Sequence, residues 1–143
     1  MWHNCIKSTR VISCNFKIDD YAGVDNAIVK YNERWWMFTT DKKNGHYYNL
    51  NIFYANELFG EWAPHELNPV KTAVTSARSA GTPFVKNKKL YRPAMDYSKK
   101  LEGNVIINQI KTISNKEYEE IEFVKIKKDN FKDWNDKIHT LSE

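Results

Sequence analysis

One stretch of aromatic and β-branched residues occurs twice in this chain at nearly constant spacing, and that repetition limits the fold more than any other feature. Residues 28–41 read IVKYNERWWMFTTD and residues 84–96 read FVKNKKLYRPAMD. Val29 and Lys30 match Val85 and Lys86, an offset of 56 (85 − 29). Past the turn the offset is 55: Asn32 matches Asn87, Arg34 matches Lys89, Trp36 matches Tyr91 and Asp41 matches Asp96 (96 − 41). Each copy has the period-two pattern of a strand, a short polar turn and a second strand. LNIFYA at residues 50–55 then finds its counterpart in NVIINQI at 104–110, offset 54 (104 − 50).

A unit of about four strands recurring at roughly 50 residues is the spacing of β-propeller blades. The units fall at about residues 22–72 and 76–127, with a tail over 128–143, and the whole is expected to be one partial propeller domain. Helical periodicity is absent, so the fold class is all-β. A blade buries its faces against neighbouring blades, and a ring takes about four to eight of them. Two units therefore need covering by further blades encoded upstream or by self-association through exposed blade faces, unless the repeat packs as something other than a ring.

Between the repeats, the order of elements is regular. Residues 27–31 and 35–40 are strands joined at Asn32-Glu33, and 50–55 is a buried strand. Gly60, Pro64 and Pro69 forbid a helix, Trp62 packs under a turn, and residues 65–67 form a short outer strand. The second unit has strands at 82–86, 90–95 and 104–110, a charged hairpin of Asn87, Lys88 and Lys89 between the first two, a brief helical turn or wide loop over 115–119, and a last strand at 121–126 with apolar Ile121, Phe123, Val124 and Ile126. An additional strand is expected at 6–14. The tail carries Phe131, Trp134, Ile138 and Leu141.

Composition narrows the partners. Aromatics at 14% belong to a chain with a core, not a solvating segment. The net charge of +4 comes from lysines scattered among acids, so the surface is mixed. Residues 125–128 form a small basic cluster, read as a strand edge kept soluble by lysine, and no nucleic-acid partner is expected. Cys5 and Cys14 fit no zinc spacing and no CxxC is present, which suits reduced thiols in a cytoplasmic protein. The first residues lack the apolar run of a secretory signal, and no stretch approaches the ~20 apolar residues of a membrane span. His46 and His139 have no partners at metal spacing, so neither metal nor cofactor is expected.

Three segments, VDNAIVKYNERWWMFTT, LNIFYANELFGEWAPHELNPV and SARSAGTPFVKNKKLYRPAMDYS, resemble the C-terminal blades of a five-bladed propeller. The type is that of arabinanase- and fructosidase-like glycoside hydrolases. The resemblance is nearest to the related propeller of glucosamine inositolphosphorylceramide transferase-like proteins. It covers about residues 22–143, with Met95 where glutamine is usual and Ser79 where proline is usual. It implies a carbohydrate-recognition or scaffold module, not catalytic by itself, that meets a glycan or a nucleotide-sugar-derived substrate. An enzyme fragment whose catalytic acids lie upstream and a protein-interaction propeller are the rival readings. The fold alone does not choose between them.

In such propellers, the inner strands line a funnel that holds sugar, and glycoside cleavage needs paired carboxylates. Asp25 matches a funnel acid in that pattern, and equally a turn or strand-cap aspartate after Gly23. Arg92 and Asp96, four apart, share one face of a strand. Arg92 precedes Pro93, which places that strand at an edge or a bend. A buried arginine needs a carboxylate, and Asp96 could serve Arg92 or Arg78. For Arg78, Arg92 and Asp96, an ion-pair brace between blades stands beside sugar recognition. His65 reads as a hydrogen-bonding residue of the rim. Trp35, Trp36, Trp62 and Tyr91 read as core, with adjacent Trp35 and Trp36 facing opposite surfaces.

Overall fold

The computed structural model describes residues 21–45, 47–98 and 103–127. The strand expected at 6–14, both cysteines, His46, His139 and the tail 128–143 lie outside them. Among the described residues there are nine strands and no helix: β1 (Gly23–Tyr31), β2 (Arg34–Asp41), β3 (Asn49–Ala55), β4 (Ala63–Pro64), β5 (Lys71–Thr72), β6 (Phe84–Lys86), β7 (Lys89–Asp96), β8 (Asn104–Ile113) and β9 (Tyr118–Ile126). All pairings are antiparallel. They make two sheets, one ordered β1-β2-β3-β4 with β5 also on β3, the other β6-β7-β8-β9.

The repeated segments thus form the first hairpin of separate sheets. Both hairpins turn through two residues of positive φ, Asn32 (49°) and Glu33 (59°) in one and Asn87 (51°) and Lys88 (61°) in the other. Positive φ at both central positions is what a type I′ turn requires, because its twist matches that of the flanking strands. The tips of the two hairpins touch, with the Tyr31 hydroxyl donating to the Lys88 carbonyl at 3.4 Å.

Stacking follows from alternation along the strands. Trp36, Phe38, Leu50 and Ile52 share one face of the first sheet and form a single core cluster with Leu90 and Ile110 of the second, plus Ala77. By the 55-residue offset, Leu90 is the counterpart of Trp35, not of Trp36 (90 − 35). Opposite faces of equivalent sheets therefore meet, and the units stack head to tail. The counterpart of the Trp36 face is the Tyr91 face of the second sheet, where Tyr91, Met95, Val105, Ile107 and Ala80 build a second apolar cluster. Ile121, Phe123 and Val124 at that side stay exposed, Phe123 by 61%.

Three local expectations change. The outer strand of the first sheet is Ala63–Pro64, pairing Phe53 and Tyr54, two residues before the expected 65–67. Residues 66 and 67 enter a turn instead, because the Nδ1 atom of His65 accepts the Leu67 amide at 3.0 Å. Pro93 does not mark an edge: β7 is interior, with β8 on one side and β6 on the other. The carbonyl of Pro93 accepts the Ala80 amide (3.1 Å) on the β6 side, so its missing N–H also faces that side. There the chain leaves the ladder between Ala80 and Phe84, and no donor is required. Finally, β9 has a bulge: Ile107 pairs Val124 while Asn108 pairs Glu122, leaving Phe123 as the extra residue.

Candidate functional site

At the end of the sheets opposite the hairpins, four side chains from separate segments converge. Asp25 sits on β1 where the register slips between Val24 and Ala27. Its φ is 53°, in the left-handed region that aspartate tolerates better than most residues. A bulge of this kind turns a side chain out of the regular alternation and aims it. Gly81, 56 residues later (81 − 25), also has positive φ, so the break recurs in the second unit. Arg78 lies on the segment beside the end of β7, where its carbonyl accepts the Met95 amide at 2.9 Å. Its Nε donates to Asp25 Oδ2 at 2.5 Å.

Two tyrosines stand together beside that guanidinium. Tyr47 from the β2–β3 connection and Tyr97 just beyond β7 both have ring centroids 5.5 Å from Arg78 Cζ, with the centroids 5.0 Å apart. The face of an aromatic ring attracts a cation, and here both rings meet the same side of it. Burial pushes the Tyr97 phenol above its ordinary range, although Arg78 pulls the other way. Tyr97 is held in place by its own amide, which donates to the Val74 carbonyl (2.8 Å). The cluster offers a cation, an anion and aromatic faces at one surface. That set of groups suits a polar ligand bearing hydroxyls or charge.

The structure brings Asp25 and Arg78 together but separates the other three candidates from them. Asp96 pairs with neither Arg92 nor Arg78, correcting both expected partners. Its Oδ1 accepts the amide and hydroxyl of Ser98, and its Oδ2 accepts Lys125 Nζ at 2.6 Å. Burial works against its charge, but the Lys125 and Ser98 bonds outweigh that and hold the carboxyl below its usual range. Asp41 bonds the amide two residues on in the same manner, Lys43 N at 2.9 Å, so this is a turn device found in both units.

Arg92 is fully buried between the sheets. Its partner is Glu120, bonded by Nε at 2.9 Å and Nη2 at 2.7 Å, while Nη1 and Nη2 also donate to the Ala77 and Ser76 carbonyls. Lys71 and the Tyr118 hydroxyl complete the shell around Glu120. Burial opposes the charge on Glu120, yet Arg92 and then Lys71 bring its carboxyl down to about 2. This is a brace, since Lys71 belongs to the first sheet and Arg92 and Glu120 to the second. His65 is likewise interior, not at the rim. With Nδ1 accepting from Leu67, Nε2 carries the proton and faces the Glu117 carbonyl at 3.3 Å.

Sequence reasoning missed Glu120, Lys71, Tyr47 and Tyr97. A buried arginine called for a carboxylate, but the run EYEEIE supplies four, Glu117, Glu119, Glu120 and Glu122. Only the register chooses Glu120. The bulge at Phe123 then returns Lys125 to the same face, within reach of Asp96.

These features define a class: an all-β repeat protein of head-to-tail antiparallel sheets, braced by a buried ion pair, with an aromatic-flanked ion pair where the strand ends meet. The chain belongs to the family described as glucosamine inositolphosphorylceramide transferase 1, N-terminal, whose match covers residues 18–141. Among individual relatives, glucosamine inositolphosphorylceramide transferase 1 of Oryza sativa subsp. japonica is 33% identical over 106 residues, 68% of this chain. The protein of that name in Arabidopsis thaliana is 32% identical over 107 residues, 69% of this chain. The matched region spans 14% of the length of these relatives. No solved structure matches.

Proposed function

We propose that this chain is a carbohydrate-recognition module of a glycosyltransferase-associated protein, with no catalysis of its own. The observation that carries the reading is the convergence of Asp25, Arg78, Tyr47 and Tyr97 at the strand ends where the two sheets meet. Aromatic faces pack on the apolar side of a sugar ring, and charged groups bond its hydroxyls. Family membership supports a place beside glycosyl transfer, and the sequence resemblance supports a glycan or nucleotide-sugar-derived ligand. Head-to-tail stacking supports a propeller assembled from more sheets of this kind, because such stacking leaves at each end a face complementary to the one at the other.

The test is a glycan array with the wild-type chain and Tyr97→Ala. Selective binding that falls at least about tenfold on loss of the ring is the expected result. Uniform absence of glycan binding would overturn the proposal. A scaffold role is the second reading, favoured by the exposed side chains of Ile121, Phe123 and Val124 beside the Tyr91 cluster.

A further inference from the structure

Arginine presents five N–H donors, and Arg78 commits only Nε to Asp25. Among the described residues, neither Nη1 nor Nη2 of Arg78 makes a hydrogen bond, and the side chain keeps 16% of its surface exposed. The contrast with Arg92 is direct, since every nitrogen of that buried guanidinium is bonded. The two tyrosine rings, each 5.5 Å from Arg78 Cζ and 5.0 Å from each other, lie on one side of the guanidinium while Asp25 anchors its Nε. A guanidinium fixed in this way loses little freedom when it takes a planar or tetrahedral oxyanion through two parallel N–H bonds.

We infer that Arg78 is an oxyanion-binding residue, and that the ligand of this site carries a phosphate or carboxylate group. The inference deepens the proposed function and rests on its assignment of the ligand to this cluster. Asp25 has a defined part in it. Its carboxylate neutralises Arg78 from the Nε side and positions the guanidinium, and it also competes electrostatically with an incoming anion. Binding is therefore weak in the wild type and strengthens when that charge is removed.

The experiment is a titration of the full chain followed by NMR at the Arg78 Nε–H and the tyrosine ring resonances. Four compounds serve: inorganic phosphate, glucose 6-phosphate, glucuronate and neutral methyl glucoside. Glucose 6-phosphate and glucuronate are expected to bind more tightly than methyl glucoside. Arg78→Lys, which keeps the charge but loses the fork, should weaken both by at least about tenfold. Asp25→Asn should tighten both by about threefold or more, an outcome that a purely structural ion pair would not produce.

Equal binding of the neutral and anionic sugars, or full binding by Arg78→Lys, overturns the inference and leaves the carbohydrate reading standing. Binding of inorganic phosphate with no preference for any sugar does the reverse. Absence of binding by all four compounds overturns both. Unchanged amide spectra of the two variants away from residues 25 and 78 confirm that the fold is intact.

Discussion

Arg92 shows how a single buried side chain can organise a brace, with Glu120 joining it to Lys71 of the other sheet. It makes four buried hydrogen bonds, to Glu120, Ser76 and Ala77, and its removal leaves Glu120 with only Lys71 and Tyr118 and leaves two carbonyls without a donor. Arg92→Ala should therefore cost about 3–5 kcal/mol, read by chemical denaturation. Replacing Arg92 and Glu120 together by methionine should cost less than the sum of the single changes, because neither partner is left charged and alone. The same pair sets the acid response. The folded-state carboxyl of Glu120 titrates near 2 against an ordinary 4.5, so its contribution is complete above about 4.5 and is lost as pH falls toward 2. Melting temperature should drop across that window in wild type and change much less in Glu120→Gln, which starts destabilised at neutral pH. A similar slope in both proteins would assign the acid sensitivity to other groups.

At the scale of elements, the turns and bulges determine where side chains point. Both hairpins place a non-glycine residue, Glu33 and Lys88, at positive φ, a conformation that costs an L-residue roughly 1–2 kcal/mol. Glu33→Gly keeps the Asn32 partner, completes an Asn-Gly type I′ turn and should stabilise the chain by about 0.5–1 kcal/mol. A loss of stability on that change would mean that the Glu33 side chain contributes more than its backbone strain. Gly45 is the opposite case. Its φ is 104°, and a Cβ there would collide with the Tyr48 ring, so Gly45→Ala should destabilise the β2–β3 loop that presents Tyr47. Strand positions were legible wherever apolar residues alternate, as in β2, β3, β7 and β8. The outer strand β4 was not, since two residues carry no period and the turn at His65 is fixed by a long-range partner, the Glu117 carbonyl.

Across the whole molecule, head-to-tail stacking is an open geometry: each added sheet repeats the same junction. The exposed Phe123, Ile121 and Val124 lie beside the face that would continue it. If this side associates with another copy or another sheet, light scattering of the wild-type chain should show a concentration-dependent rise in mass. Phe123→Lys should abolish that rise while changing the unfolding free energy by less than about 1 kcal/mol. A strictly monomeric wild type at all concentrations would show that this surface stands uncovered without associating.

The spacing of aromatic and β-branched residues alone determined that the described chain is all-β, that it is built from one unit used twice, and that its hairpins turn at Asn32-Glu33 and within Asn87–Lys89, the latter narrowed by the structure to Asn87-Lys88. Alternation and turn chemistry are local, and sequence records them directly. Pairing of charges is not local. Which carboxylate meets Arg92, that Asp96 takes Lys125, and that Asp25 crosses to Arg78 beside two tyrosines were decided by the tertiary structure. The reason is that one extra residue, Phe123 in β9 or the slip beside Asp25 in β1, reverses the face of every residue beyond it, and only the partner strand reveals where that residue goes.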